Sequence, residues 1–192
     1  MKNKTEALKE LQKRIEHDKN LPLKESNLVF GEGSVDADIF LIGEAPGLNE
    51  DIEKRPFVGR SGKLLTATIE SLGIKRSSVY ITNIVKRRPP ENRDPLPEEI
   101  EIYKPYLKEQ IDIINPKVIV TLGRFSMNYF LPTAKITRDQ GKIFRVEGRL
   151  IVPMFHPAAA LRSTGTLNEF KKSFSKLPLI ITKYKDLIKQ AL

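Results

Sequence analysis

The chain has 192 residues, 40% hydrophobic and 30% charged, with a formal net charge of +9; this is the profile of a soluble globular protein, one domain over residues 1–192, whose charge fits a polyanionic partner without requiring one. No apolar run approaches the roughly 18 residues of a membrane span and the charged N-terminus is no signal peptide, so a cytoplasmic protein with no membrane partner is expected. With no cysteine and two histidines, His17 and His156, the chain excludes disulfides, thiolate zinc sites, cysteine nucleophiles and cysteine-held iron–sulfur clusters, and neither a metal nor a cofactor is expected.

Apolar Ala7, Leu8, Leu11 and Ile15 recur near helical spacing and predict a helix over residues 5–19 capped by Thr5, with His17 on its surface. Residues 20–34 read as a loop with a short extended piece at Leu28-Val29-Phe30. Residues 37–42 are short and mostly apolar, the pattern of a buried strand; a helix follows over 61–72, with Gly73 as its C-cap, and a second strand over 79–85. The basic, proline-rich segment 87–97 cannot be helix interior or central strand, and Pro97 opens a helix running to about Ile114. A strand over 117–122 is broken by Gly123, and a short helix over 124–131 is ended by Pro132. Residues 142–146 and 149–154 form a hairpin around Glu147-Gly148, whose second strand delivers His156; residues 158–162 begin a loop or helix. Residues 168–192 read as one or two basic amphipathic helices with a break near Pro178. Strands alternating with helices predict an α/β fold, three layers α/β/α around a mainly parallel sheet.

The first strand runs into Gly43-Glu44-Ala45-Pro46-Gly47. A thin turn at the C-terminal end of a strand is where open α/β sheets place ligands, and its N–H groups can grip a carbonyl or a phosphate. Phe57, between Pro56 and Val58, could stack on a planar ligand. The same stretch also reads as an ordinary strand-to-helix turn with solvated acids Glu44, Glu50 and Asp51 and a core phenylalanine. It lacks the lysine and Ser/Thr of a P-loop. Asn83, late in the second strand, either reads a base edge or satisfies a nearby turn; the residues alone leave these even.

Four segments stand in order: residues 43–65 (GEAPGLNEDIEKRPFVGRSGKLL), Ile81-Thr82-Asn83-Ile84-Val85-Lys86 leading into Arg88-Pro89-Pro90-Glu91-Asn92-Arg93, residues 118–124 (VIVTLGR), and His156-Pro157-Ala158-Ala159-Ala160-Leu161-Arg162. Together they resemble the family 4 uracil-DNA glycosylases, a group usually built around an iron–sulfur cluster, over residues 23–180. The resemblance implies a uracil-DNA glycosylase-like fold and a monomer that flips uracil out of DNA and hydrolyses its N-glycosidic bond. It implies that Gly43, Ala45, Phe57 and Asn83 hold the base. Phe57 is the stacking wall, and the Asn83 carboxamide meets uracil O4 and N3–H. Ala45 stands where the commonest uracil glycosylases carry a catalytic aspartate. Glu50 places the water at C1′, Glu44 shapes the pocket, and His156 bonds uracil O2 as charge builds there. Pro157, Ala158, Leu161 and Arg162 face DNA. Leu161 is the wedge that fills the vacated stack, and Ala158 replaces a usual serine, removing a hydroxyl that could touch phosphate. Lys86, Arg87, Arg88, Arg93 and, in the tail, Lys171, Lys172 and Lys176 are phosphate-contact candidates, although most charge runs are solvated surface. Alternatives are a glycosylase for another deaminated or damaged base, and a non-catalytic DNA-binding descendant of the fold.

In that family four cysteines hold the cluster. The flanking residues align those positions with Asp18, Leu21, Arg87 and Tyr103, the first two within a residue or two. An Asp18–Arg87 ion pair with Leu21 packed on Tyr103 is therefore expected to tie the same segments together.

Overall fold

The computed structural model describes residues 3–189. Six strands, β1 (Glu32–Gly33), β2 (Ile39–Gly43), β3 (Tyr80–Asn83), β4 (Val118–Leu122), β5 (Phe144–Val146) and β6 (Arg149–Met154), form one sheet in the order β1-β3-β2-β4-β6-β5. The inner four are parallel and the two edges antiparallel. Every residue of β2, β3 and β4 is buried, as strands covered on both faces must be.

Alternation along the strands divides the core in two. Phe40, Ile42, Tyr80, Ile119 and Ile151 face α1 (Lys4–His17) and α4 (Pro97–Ile114) through Leu11, Ile15, Leu107 and Ile111. Ile39, Leu41, Val118, Val120, Leu150 and Val152 face the other way, against Leu65, Ile69, Phe170, Phe174 and Leu177. Each such side chain, fully buried, contributes about 1.5–3 kcal/mol, and the sheet is thereby sandwiched as the α/β/α reading expects.

The remaining helices are α2 (Leu48–Glu53), α3 (Arg60–Glu70), α5 (Arg124–Phe130), α6 (Ile136–Asp139), α7 (Pro157–Ala160), α8 (Thr164–Phe174), α9 (Leu177–Thr182) and α10 (Tyr184–Lys189). Among the described residues no helix is long and apolar enough to cross a membrane.

The local reading needs correction in several places. Asn3, not Thr5, caps α1: its Oδ1 accepts from the Glu6 N–H at 2.9 Å, and Glu6 answers to the Asn3 N–H. Leu28-Val29-Phe30 form no strand; the edge strand is the next two-residue piece, Glu32–Gly33. The second predicted strand is shorter, because beyond Asn83 the chain turns to bond the exit of β2, Ile84 N–H to Gly43 O at 3.1 Å and Val85 N–H to Glu44 O at 3.0 Å. The tail helices begin at Thr164, where Ser163 caps α8, and residues 190–192 of the predicted tail lie outside the described residues.

The segments that a cluster would join are held by side chains. Tyr103 has no exposed surface, and its hydroxyl donates to Pro22 O at 3.2 Å, next to buried Leu21. Burial raises the Tyr103 phenol, and the Arg87 guanidinium beside it opposes that shift. Arg87 also donates to Ser26 O. The expected Asp18–Arg87 pair is not formed: Asp18 accepts from the Tyr106 hydroxyl and the Asn20 N–H instead. Tyr106, one turn beyond Tyr103 on α4, takes the Asp18 carboxylate. A phenol, an isobutyl group, a guanidinium and one carboxylate are not a donor set for iron–sulfur chemistry, which needs thiolates. Tyr103→Ala, emptying a fully buried aromatic site, is expected to lower stability by about 3–5 kcal/mol, and Asp18→Asn by less, in thermal or chemical denaturation. Equal losses would place the tie on the surface bond.

Candidate active site

Four parallel strands end on one edge of the sheet at Gly43, Asn83, Leu122 and Met154. That edge is where an α/β sheet leaves an open crevice, and a cleft of about 550 Å³ lies there. Of the residues singled out in the sequence, Glu44, Ala45, Glu50, Phe57, Asn83, Arg93, His156, Ala158 and Arg162 line it. Gly43 lies behind the wall, and Arg88, Pro157 and Leu161 stand outside the lining.

Phe57 is held with unusual care. Its φ is +52°, a left-handed backbone that a bulky residue adopts at a cost of about 1–3 kcal/mol. Three contacts sustain it. Gly62 carries no side chain, and any Cβ there would collide with the Phe57 backbone. Arg76 donates to Pro56 O at 2.7 Å while bound to Glu32 at 2.7 Å. Glu50 Oε1 accepts the N–H groups of Val58 at 3.0 Å and Gly59 at 2.8 Å. The ring then stands 5.7 Å, centroid to centroid, from the His156 ring.

Gly43 makes room for the opposite wall: a Cβ there would run into Asn83 Oδ1 and stand 2.5 Å from Phe57 Cζ. Asn83 itself is 2% exposed. Its backbone carbonyl accepts from Lys86, yet its carboxamide has no protein partner among the described residues. The residue is nearly buried, but its carboxamide opens on the cleft and is free to pair with what enters it.

His156 follows β6 and caps α7, and its Nδ1 lies 3.1 Å from the Ala158 N–H. An N–H can only donate, so Nδ1 is the acceptor and the neutral ring carries its proton on Nε2. Burial lowers the ring's pKa to about 4, with Arg162 acting in the same direction and Glu50 against it. The imidazole is therefore a neutral donor at physiological pH. The side chain at position 158 plays no part in this contact, so alanine there preserves it.

Glu44, beside Gly43, is pushed up to about 7 by burial first and by Asp94 second, against Arg124. Arg124 opens α5 directly after the break at Gly123, lines the cleft, and pairs with Asp94 at 2.6 Å. Glu50 is buried, with Oε2 left on the Gly47 side. Asp51 points elsewhere, accepting from the Asn27 N–H at 2.7 Å.

The basic residues divide sharply. Arg93 grips buried Glu99 with both nitrogens, at 2.9 and 2.6 Å, and so braces the start of α4. Arg88 bonds Asn92 Oδ1 at 2.7 Å within a loop where Glu91 and Asn92 are both left-handed. Arg162 and Leu161 are exposed at the end of α7. Lys86 is no phosphate contact, because it has no exposed surface at all. In the tail, Lys176 donates to Gly141 O at 2.9 Å and Lys172 pairs with Glu169 at 3.7 Å. Arg124 and the Asp94 facing it were assigned no role from the sequence. The signal was there in Gly123, a small residue ending a parallel strand, as Gly43 does.

No group of three or more His, Cys, Asp or Glu side chains among the described residues is arranged to hold a metal ion. Comparison with known proteins adds a family to this geometry. The family model of the Uracil DNA glycosylase superfamily matches residues 30–177. A type-4 uracil-DNA glycosylase of Sulfurisphaera tokodaii is 48% identical over 162 residues, 79% of this chain and 74% of that protein. A type-4 uracil-DNA glycosylase of Archaeoglobus fulgidus is 44% identical over 161 residues, 79% of this chain and 81% of that protein. One from Thermotoga maritima is 45% identical over 155 residues, 79% of this chain and 80% of that protein.

Proposed function

The chain belongs to the uracil DNA glycosylase superfamily, among its type-4 members, and from that premise we propose that it repairs DNA by hydrolysing the bond between uracil and deoxyribose, leaving an abasic site. The observation that carries this reading to the level of residues is the unpaired carboxamide of Asn83, nearly buried and open to the cleft. An amide offers one donor and one acceptor side by side. Uracil presents the complement at O4 and N3–H; cytosine presents the reverse pattern and meets donor with donor.

A base inside a duplex must first leave the stack. In our reading Leu161, exposed at the end of α7, fills the gap, while Arg88, Arg93, Arg124 and Arg162 meet the phosphates around it. The flipped base lies along Phe57, with Asn83 at its Watson–Crick edge. As the C1′–N1 bond lengthens, the electron pair moves into the uracil ring and charge gathers on O2. The Nε2–H of neutral His156 donates to that oxygen, a contact that strengthens as the bond breaks. Positive charge grows on the sugar at the same time. Glu50 Oε2 orients the water and takes its proton as the water oxygen bonds to C1′ and the uracil anion departs, and Glu44, once ionised, favours the cationic sugar.

The titration of Glu44 gives this scheme a pH signature. Its anionic form is the useful one, and that form is gained as pH rises through about 7. Below that point the rate of uracil release from excess enzyme is expected to fall by about tenfold per pH unit, since each unit protonates tenfold more of the carboxylate. His156, lowered to about 4, stays neutral across this range and adds no step. Glu44→Gln, a mimic of the protonated form, is expected to hold the low rate of the acid limit at every pH with no step near 7; an unchanged acid limb would assign it to another group.

The activity itself is tested by chromatography of free base released from a uracil-containing oligonucleotide, beside thymine and hypoxanthine controls. Uracil alone is expected in solution. Preferential release of hypoxanthine would place another base in the pocket, and tight DNA binding without any release would make the chain a non-catalytic descendant.

A further inference from the structure

Lys86 is the one cation of the basic run Lys86-Arg87-Arg88 that is sealed inside the protein. Its Nζ lies 2.6 Å from Thr82 Oγ1, 2.8 Å from Asn83 O and 2.6 Å from Gln110 Oε1. Three acceptors surround the three protons of an ammonium group, and none is a carboxylate. Burial without a counter-charge pulls the lysine pKa well below its usual value, and the desolvation of the ammonium opposes folding. A methionine of similar length would fill the same space without desolvation, and buried charges are often replaced by apolar residues at no loss. A fold seeking stability alone would not place a lysine here.

What the ammonium does, and an apolar chain cannot, is fix the peptide of Asn83. It binds the Asn83 carbonyl directly, and Thr82, the residue before it, through the side chain. Both anchors are themselves anchored. Thr82 donates to Phe30 O at 2.8 Å, and Gln110, from α4, donates to Phe30 O at 3.0 Å and to Tyr80 Oη at 2.9 Å. On its other side the Asn83 peptide is tied to β2 by the Ile84 N–H on Gly43 O. The end of β3 is thus clamped between the sheet and α4 while the Asn83 carboxamide stays unpaired. A side chain that must meet a base edge with two hydrogen bonds needs such a clamp, because no described side chain or backbone group bonds its carboxamide.

We propose that Lys86 is a positioning residue for uracil recognition, clamping the end of β3 so that Asn83 presents its carboxamide to the flipped base. The proposal rests on the role of Asn83 stated above. It predicts that Lys86 acts through Asn83 and through little else in the reaction.

The test is a double-mutant cycle in single-turnover uracil release, measured on protein shown to be folded by its circular dichroism and thermal midpoint. Lys86→Met in the otherwise unchanged chain is expected to lower the chemical rate by about 10- to 100-fold, the scale of a misplaced positioning group, while affinity for abasic DNA stays within about threefold. In an Asn83→Ala background the same Lys86→Met change is expected to cost less than about threefold, because the group it positions is gone. Thr82→Val, which removes one acceptor without changing shape, is run through the same cycle. It is expected to show the same dependence on Asn83 with a smaller loss, and it decides the matter if Lys86→Met does not fold. Equal losses with and without Asn83, or no loss at all, would overturn the proposal while leaving uracil excision standing. A parent chain that releases no uracil would overturn the reading beneath it, and the proposal with it.

Discussion

His156→Ala is expected to lower single-turnover uracil release by about 10²- to 10³-fold, or about 2.7–4 kcal/mol, the cost of removing one preorganised donor from a developing oxyanion. The imidazole is neutral, and its free Nε2–H results from the acceptor role that the Ala158 N–H imposes on Nδ1. Its contact with O2 is worth most when charge has developed, so affinity for abasic DNA, which has no base, should hardly change. Parallel losses in rate and in abasic-DNA affinity would make His156 a structural cap of α7 and nothing more.

Asn83→Asp is expected to be the second large effect. A carboxylate in place of the carboxamide faces uracil O4 with like charge and loses the donor, and a lost bidentate base contact costs about 1–3 kcal/mol. The measurement is the uracil release rate beside that for cytosine in the same sequence. Uracil excision by Asn83→Asp at the parent rate would remove Asn83 from the base pocket.

Much of the site was legible because it sits at strand ends. Gly43, Asn83, Gly123 and His156 each follow a short apolar run, and short apolar runs that alternate with helices bring their C-terminal ends to one edge. What the sequence hid is set by contacts distant along the chain. Lys86 reads as part of a charge run, and only the fold brings Gln110 from α4 to its ammonium. The α2 helix escaped notice because Leu48 and Ile52 are exposed and its N-cap Gly47 makes no side-chain bond, so neither periodicity nor capping announces it. The Asp18–Arg87 pair is absent for a related reason: opposite charges at aligned positions do not compel a bond when other donors, the Tyr106 phenol and the Asn20 N–H, take the carboxylate.

These corrections bear on how a chain without cysteine keeps its architecture. Tyr103 ties α4 to the N-terminal segment through Pro22 O, while Glu50 and Arg76 hold the Phe57 wall of the cleft and Lys86 holds the end of β3 through separate contacts. In the proposed scheme the chemistry uses none of the residues that tie these segments together.

That separation is tested most directly by uracil release from a uracil-containing oligonucleotide, using protein purified in the presence of a chelator and assayed for iron by mass spectrometry. The account predicts free uracil and an abasic strand at a rate independent of the chelator, from protein that holds no stoichiometric iron. No release by the iron-free protein, with activity gained on reconstitution with iron and sulfide, would contradict it.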